Sequence, residues 1–223
     1  MNYRFYQILL AVFLMIFTFS QNGWTQKSVN KILNAADVPT TAKELQDFLP
    51  EGWKIMTETS GDLNGDKSAD AVLTVAFEDS EPALIVAFKN ADGSFTRAAV
   101  APNALRCECG SMLGDGTPDA EISKGQIILK GWSGSREIRD ITMRFRLEAS
   151  TGKFLLIGDD FKMTDRLELA TKIISSNYLT NQQIITEWIE DKKETRRQKK
   201  IKSQRVYLED LDYQDYWEKF DRN

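Results

Sequence analysis

The chain contains no histidine. That absence excludes Ser-His-Asp and Cys-His nucleophilic systems, histidine general bases and histidine-rich zinc sites together. Cysteine is almost as scarce, with two residues, Cys107 and Cys109. In an oxidising compartment they can bridge locally, stay free or pair with another chain. A bridge across one intervening residue is strained and closes too short a loop to stabilise much by chain entropy. Two thiolates are also too few for a structural zinc site unless Asp or Glu joins them. A Cys-x-Cys pair lacks the usual Cys-x-x-Cys redox spacing and any adjacent base. Proline is sparse, with five residues, and no Pro/Ser-rich linker divides the chain.

Long apolar runs are confined to the start. Ile8 to Phe19 is apolar apart from Thr18, Arg4 precedes it, and Thr18-Phe19-Ser20 places small residues at −3 and −1 of a cleavage site. This pattern reads as a secretory signal over residues 1–20, with the mature chain starting near Gln21. This twelve-residue segment falls short of the roughly 20 that cross a bilayer, so no integral span is expected after its removal. The expected location is periplasmic or extracellular.

The formal net charge is −4, and −4 less the +1 of Arg4 leaves about −5. That balance argues against general nucleic-acid binding. Charge is unevenly placed near the end. Lys192, Lys193, Arg196, Arg197, Lys199, Lys200, Lys202 and Arg205 form a basic stretch, followed by the acidic Glu209, Asp210, Asp212, Asp215, Glu218 and Asp221. Solvated faces that pair with each other account for this pattern; a patch for an anionic glycan or lipid surface is the sharper alternative.

Hydrophobic periodicity is mostly of period two. Ile141, Met143, Phe145 and Leu147 alternate with Thr142, Arg144 and Arg146, giving one core face and one wet face. Further strands are expected at Trp53–Thr57, Ala71–Phe77, Ala83–Phe88, Phe95–Ala101, Gln126–Trp132, Lys153–Ile157, Leu167–Ser175 and Gln183–Ile189, with one more from Lys199 to Leu208. One short helix is expected over Thr40–Leu49, with Thr40 as N-cap and Leu45, Phe48 and Leu49 on one face. The class is mainly β, α+β in detail: antiparallel sheets with one short N-terminal helix. The expected organisation is a polar lead-in over 21–38, a β-rich domain over 39–160, and a C-terminal β extension over 161–223 with a basic then acidic tail.

The densest chemistry lies in Asp62-Leu63-Asn64-Gly65-Asp66-Lys67-Ser68-Ala69-Asp70. Side-chain oxygens fall at positions 1, 3, 5 and 9 of a tight turn. Calcium takes six to eight oxygens at flexible geometry, so alternate carboxylates suit it. Asp62, Asn64 and Asp66 would each give an oxygen, Ser68 its backbone carbonyl, and Asp70 would close the shell. Position 12 is Leu73, so this is not an EF-hand. The alternative is a hairpin loop whose Asp and Asn bond their own backbone.

The stretch from Gly61 to Leu73 resembles the calcium loop of FG-GAP or VCBS-type repeats. That resemblance implies a propeller-blade-like hairpin in a secreted protein. The family's usual loop has glycine at position 6, where this chain has Lys67; a left-handed lysine costs on the order of 1 kcal/mol. A longer, looser similarity is to exported bacterial proteins carrying one such loop. There it follows a Pro-x-Gly-Trp segment, as Pro50-Glu51-Gly52-Trp53 does here, and precedes a Gly-rich turn with Cys, as at Cys107–Asp115. This similarity implies export and a β-rich fold and brings no activity with it. Asp115-Gly116-Thr117-Pro118-Asp119 fits positions 5 to 9 of a second loop, but Leu113 cannot ligate at position 3; an ordinary Gly-Pro turn is expected, with a degenerate repeat as the alternative, and a complete propeller is not expected.

Two patterns bear on hydrolysis. Gly131-Trp132-Ser133-Gly134-Ser135 departs from Gly-x-Ser-x-Gly and has no histidine as base, so it reads as a loop between strands. A carboxylate pair for glycan hydrolysis needs two acids only, and Glu187 and Asp191 would share one face of a helix. The five Trp residues suit either a sugar platform or a core. The reading reached is a secreted, non-enzymatic, calcium-stabilised binding or envelope-associated protein, with a protein or glycan partner; the rival is an exported carboxylate-based glycan hydrolase.

Overall fold

The computed structural model describes residues 31–78, 80–106, 119–190, 192 and 194–221. The expected signal segment, most of the lead-in, Cys107, Cys109 and most of the second-loop pattern lie outside the described residues.

Among the described residues, twelve strands form two antiparallel sheets. The first sheet is built from β1 (Thr41–Ala42), β2 (Trp53–Gly61), β3 (Asp70–Phe77), β4 (Ala83–Lys89) and β5 (Phe95–Ala101), in the order β1-β5-β4-β3-β2. The second runs as a meander through β6 (Asp119–Ser123), β7 (Gln126–Ser133), β8 (Glu137–Glu148), β9 (Lys153–Asp165), β10 (Ala170–Asn177), β11 (Gln182–Ile189) and β12 (Thr195–Lys200). Neither sheet closes into a barrel, and no propeller is formed among the described residues.

The two sheets face each other across the larger core. Val72, Leu84, Val86 and Ala101 from the first meet Ile127, Met143, Phe145, Phe154 and Leu156 from the second. The other face of the first sheet is covered by residues 33–49, through Leu33, Val38 and Phe48 against Leu73, Val75 and Ile85. Burial on both faces is why β3 and β4 read as continuous apolar runs instead of alternating.

Where the sheets approach at β2 and β6, glycine is required by contact. A Cβ on Gly61 would lie 2.7 Å from Ile122 Cγ2. Gly61→Ala is expected to cost roughly 1–2 kcal/mol, at the low end of overpacking because Ile122 is only partly buried and can shift. Denaturant unfolding checks this.

Two helical expectations are corrected. The helix over Thr40–Leu49 is reduced to a 3-10 turn at Leu45–Phe48, closed by a reciprocal capping box of Glu44 and Asp47, so Thr40 is not its N-cap. The backbone of Thr41 and Ala42 is instead committed to β5, opposite Thr96 and Phe95. Among the described residues the α-helix is α1 (Tyr213–Asp221), which stands in what read as an acidic tail. Asp212 caps it by accepting from Asp215 N at 3.1 Å, and Tyr213 N donates to Asn103 O at 2.8 Å. Tyr216 and Trp217 are buried on the second sheet, Trp217 edge-on to Phe161 with centroids 5.8 Å apart. The division expected at residue 160 falls inside β9, and the strand expected over Lys199–Leu208 ends at Lys200. Among the described residues no helix is long and apolar enough to cross a membrane.

Candidate functional site

The acidic loop connects β2 to β3, and the facing pair Gly61↔Asp70 closes it. Leu63 is the anchor the sequence reading passed over. Its side chain is 4% exposed and enters the core between the sheets, while its neighbours stay near the surface. The loop is therefore pinned by an apolar residue at position 2.

Above that anchor the polar side chains turn onto the loop's own amides. Asp62 Oδ1 accepts from Gly65 N at 2.6 Å and its Oδ2 from Lys67 N at 3.0 Å. Asn64 Oδ1 accepts from Asp66 N at 2.9 Å, and Asp66 Oδ1 from Ser68 N at 2.6 Å. Asn64 Nδ2 donates to Asp66 Oδ2 at 3.0 Å. The two-residue spacing thus has a backbone reason, a succession of Asx turns. Among the described residues no three Asp, Glu, His or Cys side chains gather around one point. A carboxylate oxygen that accepts one N–H still has a lone pair to offer. Ser68 is half-buried and is tied to the loop through its amide.

The turn needs left-handed backbone at two places. Gly65 has φ 86° and Lys67 has φ 70°. The lysine at position 6 therefore adopts the conformation for which glycine is the usual residue, at a cost on the order of 1 kcal/mol.

Asp70 differs from the other acids. It is 0% exposed. Its Oδ2 accepts from Leu63 N at 2.8 Å and its Oδ1 from Lys89 N at 3.0 Å. One carboxylate thus ties the start of the loop to the end of β4, nineteen residues away. Burial pushes its pKa above the ordinary value; the two amides oppose the rise, and the charges of Asp66 and Asp62 add to it. Asp66, at the surface, is held below the ordinary carboxylate value, first by the Ser68 amide and then by Asn64.

A second buried carboxylate was not anticipated. Asp159 on β9 is fully buried. Its Oδ2 accepts from Tyr178 Oη at 2.7 Å and from Tyr216 Oη of α1, and the two phenol oxygens lie 3.0 Å apart. Burial raises the Asp159 pKa against the pull of the Tyr216 and Tyr178 hydroxyls. The clue was period two: Asp159 precedes the core residue Phe161 by two and so falls on the core face.

Other sequence candidates disperse. Glu187 sits on β11, not on a helix; it pairs with Arg197 at 3.1 Å and stands 4.0 Å from Lys172, while Asp191 lies outside the described residues. Ser133 ends β7. Among the described residues, Trp53 and Trp217 are core and Trp132 is 38% exposed.

Comparison with protein-family models, with curated proteins and with solved structures finds no match. The resemblance to FG-GAP or VCBS-type loops accordingly rests on residues 61–73 alone.

Proposed function

We propose that this chain is an exported, non-enzymatic binding protein of the cell envelope whose β2–β3 connection is stabilised by calcium, in the manner of a single FG-GAP or VCBS-type loop. The observation that carries this reading is the charge arrangement in one turn. Asp62 and Asp66 lie close enough to raise the pKa of the buried Asp70 by repulsion. A divalent cation relieves that repulsion, and alternate oxygens in a short loop suit calcium. Asp62, Asn64 and Asp66 would hold it from the surface side and Ser68 through its carbonyl, with Asp70 closing the shell from below. The ion would supply charge neutralisation and rigidity, not reaction chemistry. The partner is a protein or glycan, periplasmic or extracellular.

Melting curves test this. Calcium at a hundredfold excess over its Kd contributes about 2.7 kcal/mol, which for a domain this size raises Tm by roughly 5–10 °C over chelator. Asp66→Ala is expected to remove that difference while leaving the melt in chelator nearly unchanged, because the residue is exposed. Equal melting of wild type with and without chelator would contradict the calcium reading.

One observation keeps the hydrolase reading in view: Glu81 and Asp212 share the wall of a cavity of about 310 Å³. Asp212 is engaged there as the helix cap. Loss of glycan hydrolysis on Glu81→Gln would favour that reading, and no hydrolysis by wild type would remove it.

A further inference from the structure

β12 is the last strand of the second sheet, so one side of it has no strand beside it among the described residues. The opposite end of that sheet is different: β6 is met by β2, where Ile122 packs close over Gly61. Every residue of β12 is exposed. A strand edge of this kind offers main-chain donors and acceptors to another extended chain.

The ladder fixes which groups point outward. Ile201 N donates to Asn181 O at 2.9 Å, and on the other side of β11 Glu190 N donates to Leu169 O at 3.2 Å. Bonds in an antiparallel ladder alternate, so β11 turns Gln182, Ile184 and Thr186 to β10 and Gln183, Ile185 and Glu187 to β12. Their partners Lys199, Arg197 and Thr195 therefore bond β11. Arg196, Gln198 and Lys200 turn both N–H and C=O away from the sheet.

Charge selects the occupant. Thr195-Arg196-Arg197-Gln198-Lys199-Lys200 carries four cations and no acid. Arg197 is taken by Glu187 at 3.1 Å. Arg196, Lys199 and Lys200 form no ion pair among the described residues. Side chains alternate across a strand, so Arg196 and Lys200 stand on one face and Lys199 on the other. A second copy of β12 would set like charges opposite each other across the new ladder, which is destabilising. A glycan can match the charge but has no main chain to match the alternating N–H and C=O groups. An acidic extended peptide matches both.

We propose that the open edge of β12 docks an acidic peptide segment, which joins the second sheet as a further strand through the main chain of Arg196, Gln198 and Lys200 and the charges of Arg196, Lys199 and Lys200. The proposal takes its binding role from the function proposed above and names the class of partner. It uses no residue of the acidic loop, so in chelator its failure and the failure of the calcium reading are separate results.

The experiment is titration of the full chain, in chelator and at low salt, with a blocked peptide of alternating Glu and Val about eight residues long. Amide exchange is read by NMR in the free and bound states. Binding is expected to slow exchange at Arg196, Gln198 and Lys200 about tenfold, leaving Arg197 and Lys199 nearly unchanged because β11 already holds them. Gln198→Pro removes an outward N–H and no bond to β11, at a strand edge where proline is tolerated. It is expected to weaken binding about tenfold at unchanged charge. Arg196→Gln with Lys200→Gln, both at exposed positions, is expected to weaken binding about tenfold while melting as wild type does. The proposal is overturned if the Glu-Val peptide does not bind at millimolar concentration, or if a Glu-Pro peptide of equal charge or a heparin fragment binds as tightly. It is also overturned if the three outward amides gain no protection, if the double variant binds unchanged, or if the free chain shows the same protection on forming a dimer.

Discussion

An Asp159→Ala variant is expected to lose about 3–4 kcal/mol of stability, the largest effect predicted for a single side chain here. Two buried phenols lose their acceptor at once. They retain each other at 3.0 Å, which offsets part of the loss. A lowering of Tm by roughly 6–16 °C follows for a domain of this size. The loss should concentrate on α1, because Tyr216 is the helix's hydrogen-bonded latch and Trp217 its apolar one. Hydrogen exchange of Tyr213–Asp221 should rise ahead of global unfolding. Asp159→Asn separates acceptor from charge. Its amide oxygen can still receive the phenols, so the helix should stay docked. The sign of its pH dependence follows from the raised pKa of Asp159. Such a group binds its proton more tightly folded than unfolded. Its contribution is fully present below the unfolded value of about 3.8 and is lost as pH rises through the folded value. Asp159→Asn should therefore gain on wild type as pH rises above about 4 and level off above the folded pKa. A difference independent of pH would mean that the carboxylate is not desolvated.

Asp70→Ala is expected to cost about 3 kcal/mol even in chelator. Leu63 N and Lys89 N lose their common acceptor, and Leu63 is buried where water does not replace it. The contrast with Asp66→Ala is the informative part. Asp66 is exposed and its bonds are local to the turn, so its removal should matter chiefly when calcium is present. Asp70 is a strut between the loop and β4 and, under the proposed function, would also supply the closing oxygen of the calcium shell. Unfolding of both variants by urea, in calcium and in chelator, checks the distinction. Asp70→Ala as stable as wild type in chelator would remove the strut.

Much of the sheet structure was legible. Phe95–Ala101 was expected and is β5, and the alternation at Ile141, Met143 and Phe145 marks the buried face of β8. The acidic loop was legible as a turn because Asp and Asn at two-residue spacing bond local amides, which needs no distant partner. Asp70's strut was not, since Lys89 is brought to it only by pairing of β3 with β4. Thr40–Leu49 has helical spacing of apolar residues, yet the edge of β5 takes the backbone of Thr41 and Ala42 into the sheet. Tertiary pairing overrides local propensity there. In α1 the pattern Tyr213, Tyr216, Trp217 is a helical face, hidden in the reading by the acidic residues around it.

The measurement that tests the central claim most directly is calorimetric titration of calcium into the chelator-stripped protein. The account predicts saturable heat at one site per chain, absent in Asp66→Ala. No saturable heat in wild type, or equal heat in the variant, would contradict it and leave residues 62–70 as a turn closed by its own amides.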